Sequence, residues 1–280
     1  MLELIKKAKS KLFWSYMVLL TKIKKKAWID NRGGQRFSIK ISSVNELLRA
    51  LTFHEKEPET LNWINGFGLR SNDFVFFDVG ANIGIYSLYA ASIYSKAKVF
   101  SFEPDSQSFG SLCANIYQNS FNATPFPIAI SSGTGMGLLH SSLMVAGAGA
   151  CALGGDYKFY DGDGGAVFKQ GVFFVSLDDF VFVYGNPCPN YVKIDVDGIE
   201  FEILRGGTRV LRSNECVGVL VEIQYELESE VEKISNYMKE FDFLLTEKSN
   251  WISGYGKVKS RNYIFTKNGD ALNSHLAALV

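Results

Sequence analysis

The stretch FFDVGANIGIYSLYAA, residues 76–91, limits the possible folds more than any other part of the chain. An apolar run ends in Asp78, and glycine, asparagine and glycine then occupy positions 80, 82 and 84. A helical pattern follows without a gap. An unbroken apolar run is the pattern of a strand buried on both faces of a parallel sheet. A glycine-rich turn between that strand and a helix lets the backbone approach a ligand closely.

The rhythm repeats on both sides of this unit. FVFFDV (74–79), KVFSFE (98–103) and ATPFPIAI (123–130) read as strands, with helices over 83–94 and 105–119 between them. Further on, YVKIDV (191–196) and CVGVLVEI (216–223) read as strands, and GIEFEILRGG (198–207) as a helix with a glycine stop. ESEVEKISNYMKEF (228–241) is helical, and DFLLTE (242–247) and RNYIFTK (261–267) are strands. Strands and helices alternating at this spacing predict βαβ units, a parallel sheet and right-handed crossovers. Residues 131–171 break the pattern with GTGMG, AGAGACALGG and DGDGG, which reads as a long flap or ribbon inserted in the domain.

Residues 1–70 form a basic amino-terminal arm and lead-in, 71–270 the main domain, and 271–280 a tail. The first 28 residues read as one basic amphipathic helix, either capping the domain or anchoring it to anionic lipid. A turn and strand, a short helix (44–51) and a polar, Trp-containing link then lead to residue 72. The first 40 residues carry 11 Lys/Arg against 2 Asp/Glu, and the remainder 18 against 27. An acidic main domain argues against nucleic acid as a partner. The apolar run FWSYMVLL (13–20) is too short to span a bilayer, and no signal-peptide cleavage pattern follows it. The four cysteines show no paired spacing, as expected of a cytoplasmic protein, on the inner membrane surface if the arm binds lipid. Three histidines exclude a His-rich metal centre.

The turn does not suit a dinucleotide. A G-x-G-x-x-G fingerprint starting at Gly80 needs glycines at 82 and 85, where the chain has Asn82 and Ile85. Asp78, placed at the mouth of the turn, would repel a pyrophosphate and favour a cationic group. S-adenosylmethionine carries an ammonium and a sulfonium. Glu103, ending the next strand, is placed to accept both ribose hydroxyl protons.

DVGANIGIYSLYAA, VFSFEPD, CANIYQN, VSLDDF, KIDVDGIEFEILRGG and VLVEI occur in that order. Together they resemble the FkbM family of S-adenosylmethionine-dependent methyltransferases, over about residues 72–225. The resemblance implies an α/β, class I Rossmann-like fold: a seven-stranded, mostly parallel sheet with an antiparallel last strand. It implies methyl transfer, usually to a hydroxyl of a sugar, glycan or secondary metabolite. Asp78, Gly80, Ala81, Asn82 and Gly84 fall on the cofactor motif, Glu103 on the ribose acid, and Pro104 and Asp105 beside the adenine. Asp195 falls at the end of the fourth strand, facing the reacting methyl, and Glu222 at the end of the fifth. The family usually reads D-V-E-G-x-E where this chain has Asp195-Val196-Asp197-Gly198-Ile199-Glu200, so Asp197 is one methylene shorter.

Asp195, Asp197, Glu200 and Glu222 are the candidate catalytic group. They can act as base or substrate ligands, chelate a divalent ion through oxygen, or cap the following helix. The metal reading is the least favoured of these. Lys193 either holds one of these carboxylates, binds an acidic substrate or plays a structural part. His140 is a candidate base on a closing flap, and Trp251 and Tyr255 a candidate acceptor wall. A non-catalytic cofactor-binding module and an NAD(P)-dependent enzyme are the competing functions.

Overall fold

The computed structural model describes residues 11–31, 33–67, 73–148, 151–154, 168–224, 228–250, 252–253 and 259–267. Helix α1 (Lys11–Ile23) leads into an antiparallel hairpin, β1 (Lys26–Asp30) and β2 (Arg36–Lys40). Helices α2 (Val44–Lys56) and α3 (Pro58–Asn65) follow. The single basic helix expected over 1–28 is therefore shorter, because Ala27 and Ile29 alternate inward as a strand; residues 1–10 lie outside the described part. The polar link is also helical: Pro58 occupies the first turn, where its missing N–H costs nothing.

The main sheet contains β3 (Val75–Val79), β4 (Lys98–Phe102), β5 (Ala123–Phe126), β10 (Tyr191–Ile194), β11 (Gly218–Gln224), β12 (Phe243–Lys248) and β14 (Lys259–Lys267). Its order is β12-β14-β11-β10-β3-β4-β5, with the short β13 (Ile252–Ser253) pairing β14 at one edge. β14 runs antiparallel to both neighbours, and β11, β10, β3, β4 and β5 are mutually parallel. This is the seven-stranded α/β sheet that the sequence implies. Strand order reverses between β3 and β10, which opens a crevice at their carboxyl ends.

Alternation along β3 sends Phe76 and Phe77 to opposite faces. Phe76 joins a core with the hairpin, α2, α3, α4 (Ile85–Ile93) and α5 (Ser106–Asn119). Phe77 joins the other core, with α6 (Leu177–Phe182), α7 (Glu200–Arg205), α8 (Thr208–Arg212) and α9 (Glu228–Lys239). The amino-terminal helices and hairpin thus cover one face of the sheet.

The strand expected over 123–130 divides. β5 stays in the main sheet, and β6 (Ala129–Ser131) starts a second one. Pro127 lies between them and cannot donate to a ladder. The second sheet runs β6-β9-β7-β8, from β7 (Gly135–Ser141), β8 (Cys151–Leu153) and β9 (Phe168–Ser176). The glycine-rich insertion is therefore in part an ordered antiparallel ribbon; residues 155–167 lie outside the described part.

Candidate active site

The turn after β3 is built from left-handed residues. Gly80, Asn82 and Gly84 have φ of 78°, 52° and 84°. Glycine adopts this region freely, and asparagine tolerates it better than most residues. A Cβ on Gly80 would lie 1.9 Å from the Asp195 carbonyl oxygen, so the turn is seated directly on the end of β10. The Gly80 and Ala81 amides both donate to the Phe102 carbonyl at 3.0 Å, which ties the turn to β4 as well.

Glu103 faces this turn. One carboxylate oxygen accepts the Asn82 amide at 2.8 Å, and the other accepts the Asp105 amide at 2.8 Å. Each oxygen keeps a further lone pair, as a vicinal diol requires. Burial, with the neighbouring Asp105 charge, pushes Glu103 up to about 8, against the pull of the two amides. Asp105 caps α5 by accepting the Ser108 amide at 2.8 Å. The Pro104 carbonyl accepts from Gln170 Nε2 at 2.6 Å, and the Ser106 amide donates to Gln170 Oε1 at 3.1 Å. The second sheet thus grips the loop that follows Glu103.

Asp78 is not at the mouth of the turn. It is 1% exposed, on the face of β3 that carries Phe76, and pairs in register with Lys193. Its Oδ2 accepts Ser87 Oγ at 2.6 Å, and its Oδ1 has no partner. Burial raises its pKa, with Lys193 opposing.

Lys193 is the hub of a buried acidic cluster. Its Nζ pairs with Asp195 and lies 4.8 Å from the Tyr86 ring centroid. Burial disfavours its charge, but Asp195, Asp78 and Glu57 outweigh that and raise its pKa. Asp195 keeps 24% side-chain exposure and hydrogen-bonds Glu222. Burial opposes its ionisation; Lys193 and the hydrogen bond prevail and hold it well below the usual carboxylate range. Glu222 is pushed well above that range by burial and by the Asp195 charge. Its Oε1 accepts Ser260 Oγ at 2.6 Å. The two carboxyl groups thus titrate as a coupled pair, with the charge favoured on Asp195, beside Lys193.

Of the other expected residues, Glu200 turns back on its own loop and accepts the Gly198 amide at 3.0 Å. Burial raises it to about 8. Asp197 Oδ2 accepts the Cys151 amide of β8 at 3.2 Å, a second clasp between the two sheets. Among the described residues no three His, Cys, Asp or Glu side chains gather as a metal site. His140 sits within β7, opposite Lys169, in regular strand rather than in a loop. Trp251 and Tyr255 lie outside the described residues.

The sequence reading missed the contribution of α2 and α3. Glu57, fully buried at their junction, pairs with Lys56 and hydrogen-bonds Tyr86. Asn262 of β14 donates to Glu59 at 2.8 Å, joining the far edge of the same cluster. The signal available was EKEPE at 55–59, an acidic run around a proline, which also suits a solvated helix start.

A family model described as the methyltransferase FkbM domain matches residues 78–245. The chain is 33% identical over 141 residues to the hexuronic acid methyltransferase AglP of Haloferax volcanii, covering 50% of this chain and 53% of that protein. It is 30% identical over 161 residues to the methyltransferase sdnD of Sordaria araneosa, covering 49% and 61%. The match thus spans little more than half the length of these curated relatives. The crystal structure of methyltransferase FkbM from Methylobacillus flagellatus KT aligns at a TM-score of 0.45 and 15% identity, covering 79% of this chain and 53% of that one. That likeness adds nothing to the strand order already described. The matched segment runs from Asp78 into β12 and so takes in the glycine turn, Glu103 and the Asp195–Glu222 pair; on it, this chain belongs to the FkbM methyltransferase family.

Proposed function

We propose that the protein is an S-adenosylmethionine-dependent O-methyltransferase acting on a hydroxyl of a sugar, glycan or secondary metabolite. The observation that carries this reading is the exposed edge of Asp195, paired with Glu222, at the crevice where the glycine turn rests on β10. The residues fit the cofactor on one further point: Glu103 is anchored by two amides yet has an acceptor left on each oxygen. S-adenosylmethionine, when bound, supplies an electrophilic methyl group.

The chain's own residues do the rest. The 80–84 turn offers a close backbone surface, and Glu103 takes the ribose hydroxyls. Pro104 and Asp105 form the adenine side, fixed by Gln170. Asp195 orients the acceptor's hydroxyl and takes its proton as the oxygen bonds to the methyl, when that proton is acidic enough for a weakly basic carboxylate, while Lys193 and Glu222 hold its orientation. Positioned proton removal contributes roughly 10²–10⁴-fold, and alignment of the acceptor oxygen adds to it. Asp197 and Glu200 act as positioning residues for the loop after β10. Asp78 supports Lys193 from below. The Haloferax relative's name, a hexuronic acid methyltransferase, supports a sugar acceptor.

Asp195→Asn should bind S-adenosylhomocysteine as the parent does and lose turnover by ~10²-fold or more. Calorimetry and transfer of an isotopic label to a cell-extract glycan pool, read by mass spectrometry, measure the two. Absence of S-adenosylhomocysteine binding at millimolar ligand sinks the cofactor assignment, and full turnover in Asp195→Asn sinks the base.

The amino-terminal helix has a second role in this reading, as a peripheral contact with anionic lipid. Met17 is buried beneath α1, while Trp14, Tyr16, Leu19 and Ile23 are exposed beside Lys22, Lys24 and Lys25. Interfacial helices combine apolar and aromatic residues with lysines in this way. Among the described residues no helix is long and apolar enough to cross a membrane.

A further inference from the structure

A narrow, half-open cleft of about 10 Å³, room for one small polar group, lies between α2 and the start of α4, lined by Arg49, Phe53, Lys56, Ile85 and Tyr86. Its chemistry is opposite to that of the interior beside it. The acidic cluster lies underneath, where it takes the Tyr86 hydroxyl through Glu57, and the cleft itself presents two cations.

The cleft also adjoins the site on both sides. The charge of Lys56 acts on Asp195 and Glu222, and that of Arg49 acts on Glu103 and Tyr86. Arg49 is held in a fixed pose: its Nε donates to the Gly147 carbonyl at 2.8 Å. Gly147 belongs to a loop that is itself pinned, because Ser43 Oγ donates to the Ala146 carbonyl at 2.8 Å. Among the described residues Arg49 has neither a carboxylate partner nor a hydrogen bond from its terminal nitrogens. A guanidinium fixed along one edge, with its fork unused, is preorganised for a planar anion. Lys56 pairs with the buried Glu57 and adds a second positive charge at the rim.

We infer that this cleft is a carboxylate-binding subsite of the active site, with Arg49 as its anchor and Lys56 beside it. This rests on the methyltransferase reading, within which two ligands carry a carboxylate: the amino-acid end of the cofactor, and an acidic sugar acceptor such as a hexuronate.

The test uses the intact chain and calorimetry with five probes: S-adenosylhomocysteine, its methyl ester, methylthioadenosine, glucuronate and glucose. If the cofactor supplies the carboxylate, the ester binds on the order of tenfold or more weakly than the acid to the unaltered protein. Arg49→Gln then removes that difference and changes methylthioadenosine affinity far less than that of the acid. If the acceptor supplies it, ester and acid bind alike, glucuronate binds better than glucose, and Arg49→Gln abolishes that preference. Should Arg49→Gln misfold, Arg49→Lys, which keeps the charge but loses the fork, reads the same two comparisons; an acid–ester difference or glucuronate preference undiminished in the folded variant overturns the subsite. Equal binding of acid and ester, with no preference for glucuronate over glucose, overturns the subsite. Loss of all nucleoside binding by the unaltered protein instead sinks the cofactor assignment, and the glucuronate comparison then decides the subsite alone.

Discussion

At Gly80 a single methyl group is excluded twice over. Its φ of 78° disfavours any side chain, and a Cβ would strike the Asp195 carbonyl at 1.9 Å. Gly80→Ala should therefore lower stability by about 2–4 kcal/mol in urea unfolding, a core-sized effect from the smallest side chain. Glu103 and Glu200, both pushed up to about 8 by burial, predict a pH dependence. Between about 4.5 and 8 the folded protein holds protons that the unfolded chain has released. The stability from these groups is complete at the acidic end of that window and is lost as pH rises through it. The thermal midpoint should fall from pH 5 to pH 8, and Glu200→Gln should flatten the fall; an unchanged slope would remove Glu200 from the account. In the proposed reading the ribose hydroxyls donate to the charged form of Glu103. S-adenosylhomocysteine should therefore bind with proton release below pH 8, seen as a buffer-dependent binding enthalpy.

At the scale of the element, the units around β3, β4, β10 and β11 were legible because each is an apolar run with a clear stop. The turn was legible because glycine and asparagine recur where the backbone needs positive φ. The charged cluster was only half legible. Asp195 and Glu222 end strands, where a carboxylate invites attention, whereas Glu57 sits at a helix junction and meets them only through the fold. Strand β3 also misled: an aspartate next to a glycine turn reads as a ligand at the mouth, but the pleat turns Asp78 inward onto Lys193. The start of α2 offers a further prediction. Glu46 accepts the Ser42 and Ser43 amides at 2.6 and 2.8 Å and Ser111 Oγ at 2.6 Å, forming a capping box that also binds α5. Glu46→Ala should cost about 2–3 kcal/mol, and Glu46→Gln clearly less, in the same unfolding assay.

Across the whole molecule, the second sheet holds the loops after β4 and β10: among the described residues Gln170 bonds Pro104 and Ser106, and Cys151 bonds Asp197. Glycine content suggested a flap or ribbon, but periodicity could not reveal which strands pair across so long an insertion. Gln170→Ala should weaken S-adenosylhomocysteine roughly five- to tenfold, the worth of about one hydrogen bond, without changing the thermal midpoint much. The basic helix makes a separate prediction. Vesicles with a third phosphatidylglycerol should sediment the protein, neutral phosphatidylcholine vesicles should not, and Trp14→Ala with Lys24→Glu should release it. Equal partitioning onto both vesicle types would remove lipid as a partner.

The contact between Gly80 and Asp195 has a consequence for assembly. These two residues lie on opposite sides of the inserted ribbon in sequence, so the cofactor loop from the first half is moulded on backbone from the second. A chain severed within the insertion would yield two pieces, neither holding the loop in shape alone. Ligand affinity recovered on mixing them would then be a direct gauge of how completely the halves have rejoined.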